Sequence, residues 1–199
     1  MSKWGIEEKE TLDAMKKINF KGYILNVAAG DGRFNNMLLK SAEKVIAIDI
    51  SDVELTLLKD NCEEDLKPKL QTKIADINKP LPFKDETFDG IFCTGTLHLF
   101  KKEMIINILH EMKRVLKRNG KIILDFATDI RRIDKNGNFI VFENEGNYHT
   151  NEATEFFKDQ LSDFDLDIQI STFTENNLDI SAGYNFITGS FLVISAIKH

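Results

Sequence analysis

Cysteine is nearly absent from this chain: Cys62 and Cys93 are the only two among 199 residues. Cys93 closes an apolar run and Cys62 falls in a polar helical stretch, so a disulfide framework is not expected. That usage fits a reducing, cytoplasmic setting. Long apolar runs are missing too. None approaches the ~20 residues needed to cross a bilayer, so no membrane span is expected. The opening Met1-Ser2-Lys3-Trp4-Gly5 leads into charged residues without a signal-peptide pattern. No His, Cys and carboxylate cluster has metal-ligand spacing, so no metal is expected. Repeats, low-complexity tracts and linkers are also missing, which leaves one domain over 1–199.

What is present is the mix of an ordinary globular protein, 42% hydrophobic and 29% charged. The net charge is −6. An acidic surface repels phosphate backbones, so a nucleic-acid partner is disfavoured. The densest basic loop, Arg131-Arg132 with Lys135, is small and reads as a solvated turn.

Short apolar runs alternate with longer helical patterns, the signature of a parallel sheet covered by helices. A helix is predicted over 4–18, then strands at Tyr23–Ala28, Val45–Ile50, Leu70–Ala75, Phe88–Cys93 and Lys121–Phe126. Ser51-Asp52-Val53-Glu54 reads as a capping box, with Ser51 and Glu54 each satisfying a free amide. The clearest helix covers Lys101–Arg118, with Ile105, Ile108, Leu109, Met112 and Val115 on one face. Gly120 is expected to supply its left-handed stop. After Phe126 the chain turns polar over 127–150, an insertion with one possible short strand at Phe139–Phe142. Thr150 is expected to cap a helix over Asn151–Leu161. Asp165–Phe173 and Ser190–Ile197 are expected to pair antiparallel. The fold class is therefore α/β: a Rossmann-like seven-stranded sheet, mostly parallel, with an antiparallel C-terminal strand and helices on both faces.

Ligands of such sheets bind at the carboxyl ends of the strands. Three loops there carry suitable chemistry. In Asn26-Val27-Ala28-Ala29-Gly30-Asp31-Gly32, small residues at 28, 30 and 32 let a ligand approach the backbone. The added methyl of Ala28 fits if the backbone there is not left-handed. Asp49 ends the second apolar strand, where a carboxylate can accept hydrogen bonds from two ribose hydroxyls. Asp76 ends the third and can accept from an adenine amine, with Ile50 and Ile77 as a sandwich for the ring. Tail, ribose and base together point to an adenosine-containing cofactor.

These residues resemble class I methyltransferases that use S-adenosyl-L-methionine (SAM), in particular the small family that includes ubiquinone and menaquinone biosynthesis enzymes. Ile24–Phe34 looks like their first glycine motif, with Asn26 and Ala28 where an acid and a glycine are usual. Val45–Ser51 looks like the strand with the ribose-binding acid, and Ala75-Asp76 like the adenine-binding pair. Phe88-Asp89-Gly90-Ile91, Leu97-His98 and Glu111–Leu124 look like later motifs, as does Tyr148-His149-Thr150. The resemblance implies a SAM-dependent methyltransferase acting on a small molecule. It places Asn26, Ala28, Ala29, Gly30, Gly32, Asp49, Ile50, Asp76, Ile77, Thr94 and Thr96 around the cofactor, and residues 1–19, with Trp4, as a lid helix.

Residues near the methyl group are expected in Thr94-Gly95-Thr96-Leu97-His98. His98 is the candidate general base, since its ordinary pKa suits neutral pH. Tyr148 and His149 are weaker candidates. Phe100, Phe139, Phe142, Tyr148 and Phe186 are candidates to line an apolar acceptor pocket. A non-catalytic SAM-binding protein or partner subunit is the alternative reading. An NAD(P) oxidoreductase fits less well, because Arg33 stands where a dinucleotide motif has its third glycine.

Overall fold

Strands that are apolar at nearly every position must be buried on both faces, and that demand organises this chain. The computed structural model describes residues 9–142, 146–176 and 183–199. The elements run α1 (Lys9–Ile18), β1 (Tyr23–Val27), α2 (Asn35–Ser41), β2 (Lys44–Asp49), α3 (Asp52–Asn61), β3 (Leu70–Ile74), β4 (Phe88–Cys93), α4 (Lys102–Val115), β5 (Leu116–Ile133), β6 (Phe139–Ile140), α5 (Thr150–Gln160), β7 (Phe164–Asn176) and β8 (Phe186–Lys198). The strand order is β3-β2-β1-β4-β5-β8-β7, with short β6 paired to β5. β1 to β5 are parallel, while β8 runs antiparallel between β5 and β7. The order reverses between β1 and β4, so the loops after these strands share one edge.

Alternate residues of each strand feed two cores. Ile24, Val45, Phe92, Ile123 and Val193 pack beneath α1 and α2, and Ala47 on that side meets Leu55 and Leu58 of α3. Leu25, Val27, Ile48, Ile91, Ile122 and Leu124 face α4 and α5. The predicted alternation of strand and helix is present. So is the antiparallel C-terminal pair, which runs from Phe164↔Lys198 to Asn176↔Phe186.

Four expectations change. The helix read over 4–18 is described from Lys9, and Trp4 lies outside the described residues. Its described part packs on β5 and β8 and buries Thr11, Ala14 and Ile18. Lys9–Ile18 is thus a layer of the fold, packed on the sheet. Second, α4 stops at Val115, and Asn119 rather than Gly120 takes the left-handed conformation (φ 59°). Gly120 is needed for space, since a Cβ there would lie 2.6 Å from Leu116 Cδ1.

Third, β5 does not end at Phe126. It continues to Ile133 with β8 alongside, through a register shift between Thr128 and Arg131. Asp129 sits within that shift at φ 51°, as the extra residue of a bulge does. The stretch expected as a polar insertion therefore begins as strand. Fourth, Thr150 does not cap α5 but begins it. The cap comes from Asp129, whose Oδ2 accepts from the Thr150 amide (3.1 Å) and hydroxyl (2.6 Å).

Each helix has its last carbonyls held by a side chain from another element. Lys121 Nζ donates to the Ile18 carbonyl of α1, and Asn36 Nδ2 to the Asn61 carbonyl of α3. Lys69 Nζ donates to the Leu39 and Ala42 carbonyls at the end of α2. Lys198 Nζ serves Lys113 and Leu116 at the end of α4, while Lys113 Nζ serves Gln160 of α5. Unsatisfied carbonyls carry the negative end of the helix dipole, so cations are favoured there.

The crossover from β3 to β4 contains no helix. Residues 75–87 instead lay Ile77, Leu81 and Phe83 against the α4 core, and Arg114 of α4 pins them. Its guanidinium donates to the Leu81 and Phe83 carbonyls (3.0 and 2.9 Å), to Asp85 (2.7 Å) and twice to Glu111. Glu111 in turn accepts from the Leu81 amide at 2.7 Å. The Arg114 bonds hold the Glu111 carboxyl below the usual glutamate range, against a smaller opposing effect of burial.

Arg114→Met should lower stability by roughly 2–4 kcal/mol, the scale of losing a few charged hydrogen bonds, read as a shift in the urea midpoint. Because Glu111 is depressed in the folded state, its contribution is full above the unfolded glutamate value of about 4.3. It fades as pH falls through the lower folded value. The gap between wild type and Arg114→Met should therefore narrow in acid.

Candidate functional site

Asp49 is placed by the end of β2 and held there by its neighbours. Its Oδ2 accepts from the Gly30 amide at 2.9 Å and its Oδ1 from the Ser51 amide at 2.9 Å. One carboxylate thus fixes the turn after β1 and the entry to α3. The capping box is shared accordingly. Ser51 Oγ accepts from the Glu54 amide (3.2 Å), as expected, and the Ser51 amide donates to Asp49. A carboxylate offers about four lone-pair sites. With two used by backbone amides, two can accept hydroxyls from a ligand.

The turn itself divides by role. Gly30 (φ 51°) has no atom within 4 Å of where a side chain would stand, so its edge is open. Gly32 (φ 85°) is closed: a Cβ there would lie 2.7 Å from Leu58 Cγ. Gly32 therefore lets α3 pack, and Gly30 leaves room above the backbone. Ala29 packs against the small Ala47, Leu55 and Leu58 cluster. Asn26 is 4% exposed within β1, between Ala47 and Phe92 of the flanking strands.

Ala28 stands at φ 52°, contrary to the condition under which its methyl group was expected to fit freely. A left-handed L-residue costs roughly 1–2 kcal/mol. The turn holds it there through the bond from the Ala29 amide to the Ile48 carbonyl at 2.9 Å.

Asp76 follows β3 in a tight turn. Its Oδ1 accepts from the Asn78 amide at 2.9 Å, and Lys79 Nζ approaches Oδ2 at 3.6 Å. The Ala75 amide donates to the Asp49 carbonyl, which ties the second and third loops together. Ile50 is 69% exposed, but Ile77 is only 8% exposed and belongs to the core under α4. The two do not stand as an open sandwich. Ile50 offers a free apolar face, and Ile77 forms floor.

The loop after β4 completes the edge. Thr96 Oγ1 donates to the Thr94 carbonyl. Gly95 (φ 68°) is open in the same way as Gly30. Its amide donates at 2.6 Å to Oδ1 of Asp125, a β5 carboxylate only 1% exposed. Burial and, after it, the Asp125 charge push the Cys93 thiol far up, so it stays protonated. Sequence reasoning missed Asp125, although its signal resembles that of Asp49: an acid interrupting an apolar run.

His98 lies on a short turn, Leu97–Leu99, edge-on to Phe126 with centroids 6.4 Å apart. Tyr148 meets the same Phe126 edge to face at 4.9 Å and donates its hydroxyl to the Phe100 carbonyl at 2.6 Å. Burial, followed by the Glu103 charge, raises the Tyr148 phenol. His149 pairs Nδ1 with Asp129 Oδ1 at 2.8 Å, which raises its pKa. Tyr148, Phe142, Arg132 and Thr128 border a cavity of about 160 Å³ beside the β5 bulge. Phe100, Phe139 and Phe186 are not among its lining residues. Arg132 is 8% exposed and stacks on Phe142 and Tyr184 rather than lying in a solvated turn. Among the described residues no group of three His, Cys, Asp or Glu is placed to hold a metal. No described helix is long and apolar enough to cross a membrane.

Comparison with known proteins agrees with this fold. Residues 24–120 match the family model described as "Methyltransferase domain". A relative from Aspergillus luteorubrus, "Probable methyltransferase ltbC", is 33% identical over 121 residues, 57% of this chain and 42% of that protein. The chain spans half or less of the length of the curated relatives it matches. Among solved structures, an S-adenosylmethionine-dependent methyltransferase from Mesorhizobium loti superposes with a TM-score of 0.67 at 14% identity, covering 98% of this chain and 100% of that one. DhpI in complex with S-adenosylhomocysteine superposes at 0.64 and 18% identity, covering 94% and 82%.

The two glycines should separate on substitution. Gly32→Ala should cost about 2–3 kcal/mol, combining left-handed strain with overpacking against Leu58. Gly30→Ala should cost about 1 kcal/mol, because strain acts alone. Thermal melting of the two variants checks the order.

Proposed function

We propose that this chain binds SAM and transfers its methyl group to a small-molecule acceptor, a reading supported by the match of residues 24–120 to a methyltransferase domain model and by a fold that superposes on methyltransferases. The observation that carries the reading is the Asp49 carboxylate, oriented by the Gly30 and Ser51 amides beside the open space at Gly30. The residues present fit the cofactor: room over bare backbone for an amino-acid arm, and oriented acceptors for ribose and base.

In this reading Asp49 accepts the ribose hydroxyls on its remaining lone pairs. Asp76 accepts the adenine amine, and exposed Ile50 covers one face of the ring. Ala28, Ala29 and Gly30 carry the methionine arm, with Thr94 and Thr96 opposite. Asn26, Gly32 and Ile77 shape the floor. When bound, SAM supplies a methyl group already activated by its sulfonium. The chain's work is to align an acceptor behind that carbon, and alignment can contribute ~7–11 kcal/mol. His98, held beside Phe126, takes the proton of an acceptor that must lose one. The cavity beside the β5 bulge, within the stretch 127–150, supports an acceptor site on that side. The acidic chain disfavours a nucleic-acid acceptor.

Titration calorimetry with S-adenosylhomocysteine should give binding to wild type and at least tenfold weaker binding to Asp49→Ala. No heat with either SAM or S-adenosylhomocysteine on folded protein overturns the reading. A thermal shift with NAD(P)H in its place would favour an oxidoreductase. Binding without turnover of labelled SAM against an acceptor panel would mark a non-catalytic SAM-binding protein. For a methylated acceptor, His98→Ala should lower turnover about 10²–10⁴-fold and alter the pH–rate profile. An unchanged profile removes His98 as base.

A further inference from the structure

SAM and its demethylated product both carry an α-ammonium at the end of the methionine arm, and a cation held away from water needs a negative partner. At the end of β1, under the first glycine turn, the buried side chain is the neutral Asn26. Asp49 and Asp76 lie at the ends of β2 and β3, on the adenosine side of the proposed site. β1 and β4 are parallel neighbours with Val27 opposite Cys93, so the turns bearing Gly30 and Gly95 stand side by side, about 4.8 Å apart at their roots. Both turns are open where a side chain would stand. β5 follows next, with Leu124 opposite Cys93. Its next residue, Asp125, reaches the Gly95 amide at 2.6 Å while 1% exposed.

We propose that Asp125 supplies the negative charge that holds the α-ammonium of the methionine arm, acting from β5 through the Gly95 turn. The proposal rests on the SAM reading above. It assigns the arm's anchor to the strand on the far side of β4, where the carboxylate is fixed by a backbone amide and shielded from water.

The test compares two adenosine thioethers by calorimetry: S-adenosylhomocysteine, which has the ammonium, and 5′-methylthioadenosine, which lacks the amino-acid arm. Asp125→Asn keeps size and hydrogen bonding but removes the charge. It should weaken S-adenosylhomocysteine about ten- to hundredfold and leave methylthioadenosine within about twofold, the latter also reporting that the adenosine end remains folded. Equal weakening of both ligands overturns the proposal, since Asp125 then acts only by shaping the turn. No change in either also overturns it. Selective loss in Asp31→Asn instead, the other buried acid of this edge, assigns the charge to Asp31 and overturns it too. If Asp125→Asn does not melt cooperatively, Asp125→Glu moves the charge by one methylene and is read the same way. Should neither ligand bind wild type, the SAM reading fails and this inference fails with it.

Discussion

Asp49 is the point at which the ligand edge becomes one object. Its two oxygens bind the amides of Gly30 and Ser51, and its own carbonyl takes the amide of Ala75. Three loops that the sheet merely brings close are thereby given fixed relative positions. A flexible edge could hold the same residues in its sequence without presenting them to one ligand. Preorganisation of this kind is what lets a site spend little free energy ordering itself when it binds.

The strands around that edge serve different masters. β1, β2 and β4 are short and stop at the loops. β5 does not stop, and its overrun with β8 and β7 builds a wall beyond the edge. The bulge at Thr128–Arg131 makes this possible without opening the hydrogen-bond ladder further. Asp129, the residue displaced there, caps α5 and pairs with His149. The wall and the helix that follows it are therefore fastened at one residue.

Much of this was legible in the sequence because burial leaves a periodic trace. The five parallel strands, the face of α4 and the final antiparallel pair all follow from apolar spacing. Asp49 was legible as an acid ending an apolar run, and the same rule applied to Ile122-Ile123-Leu124-Asp125 would have found Asp125. What escaped was set by contacts distant in sequence. The overrun of β5 was hidden because the bulge breaks the alternation after Thr128. The cap of α5 comes from 21 residues upstream, so Thr150 looked like its own cap. Ile77 reads as a ring contact until the missing crossover helix forces it into the core. Ala28 reads as a tolerable methyl until its backbone angle is known.

The lysines at the helix ends carry a further consequence. Lys69, Lys113, Lys121 and Lys198 each neutralise the end of one helix from a residue belonging to another part of the chain. Acylating an amine removes both its charge and two of its three N–H donors. Reagents or metabolites that acylate lysine would therefore loosen the carboxyl-terminal ends of α2, α5, α1 and α4 while leaving both hydrophobic layers in place.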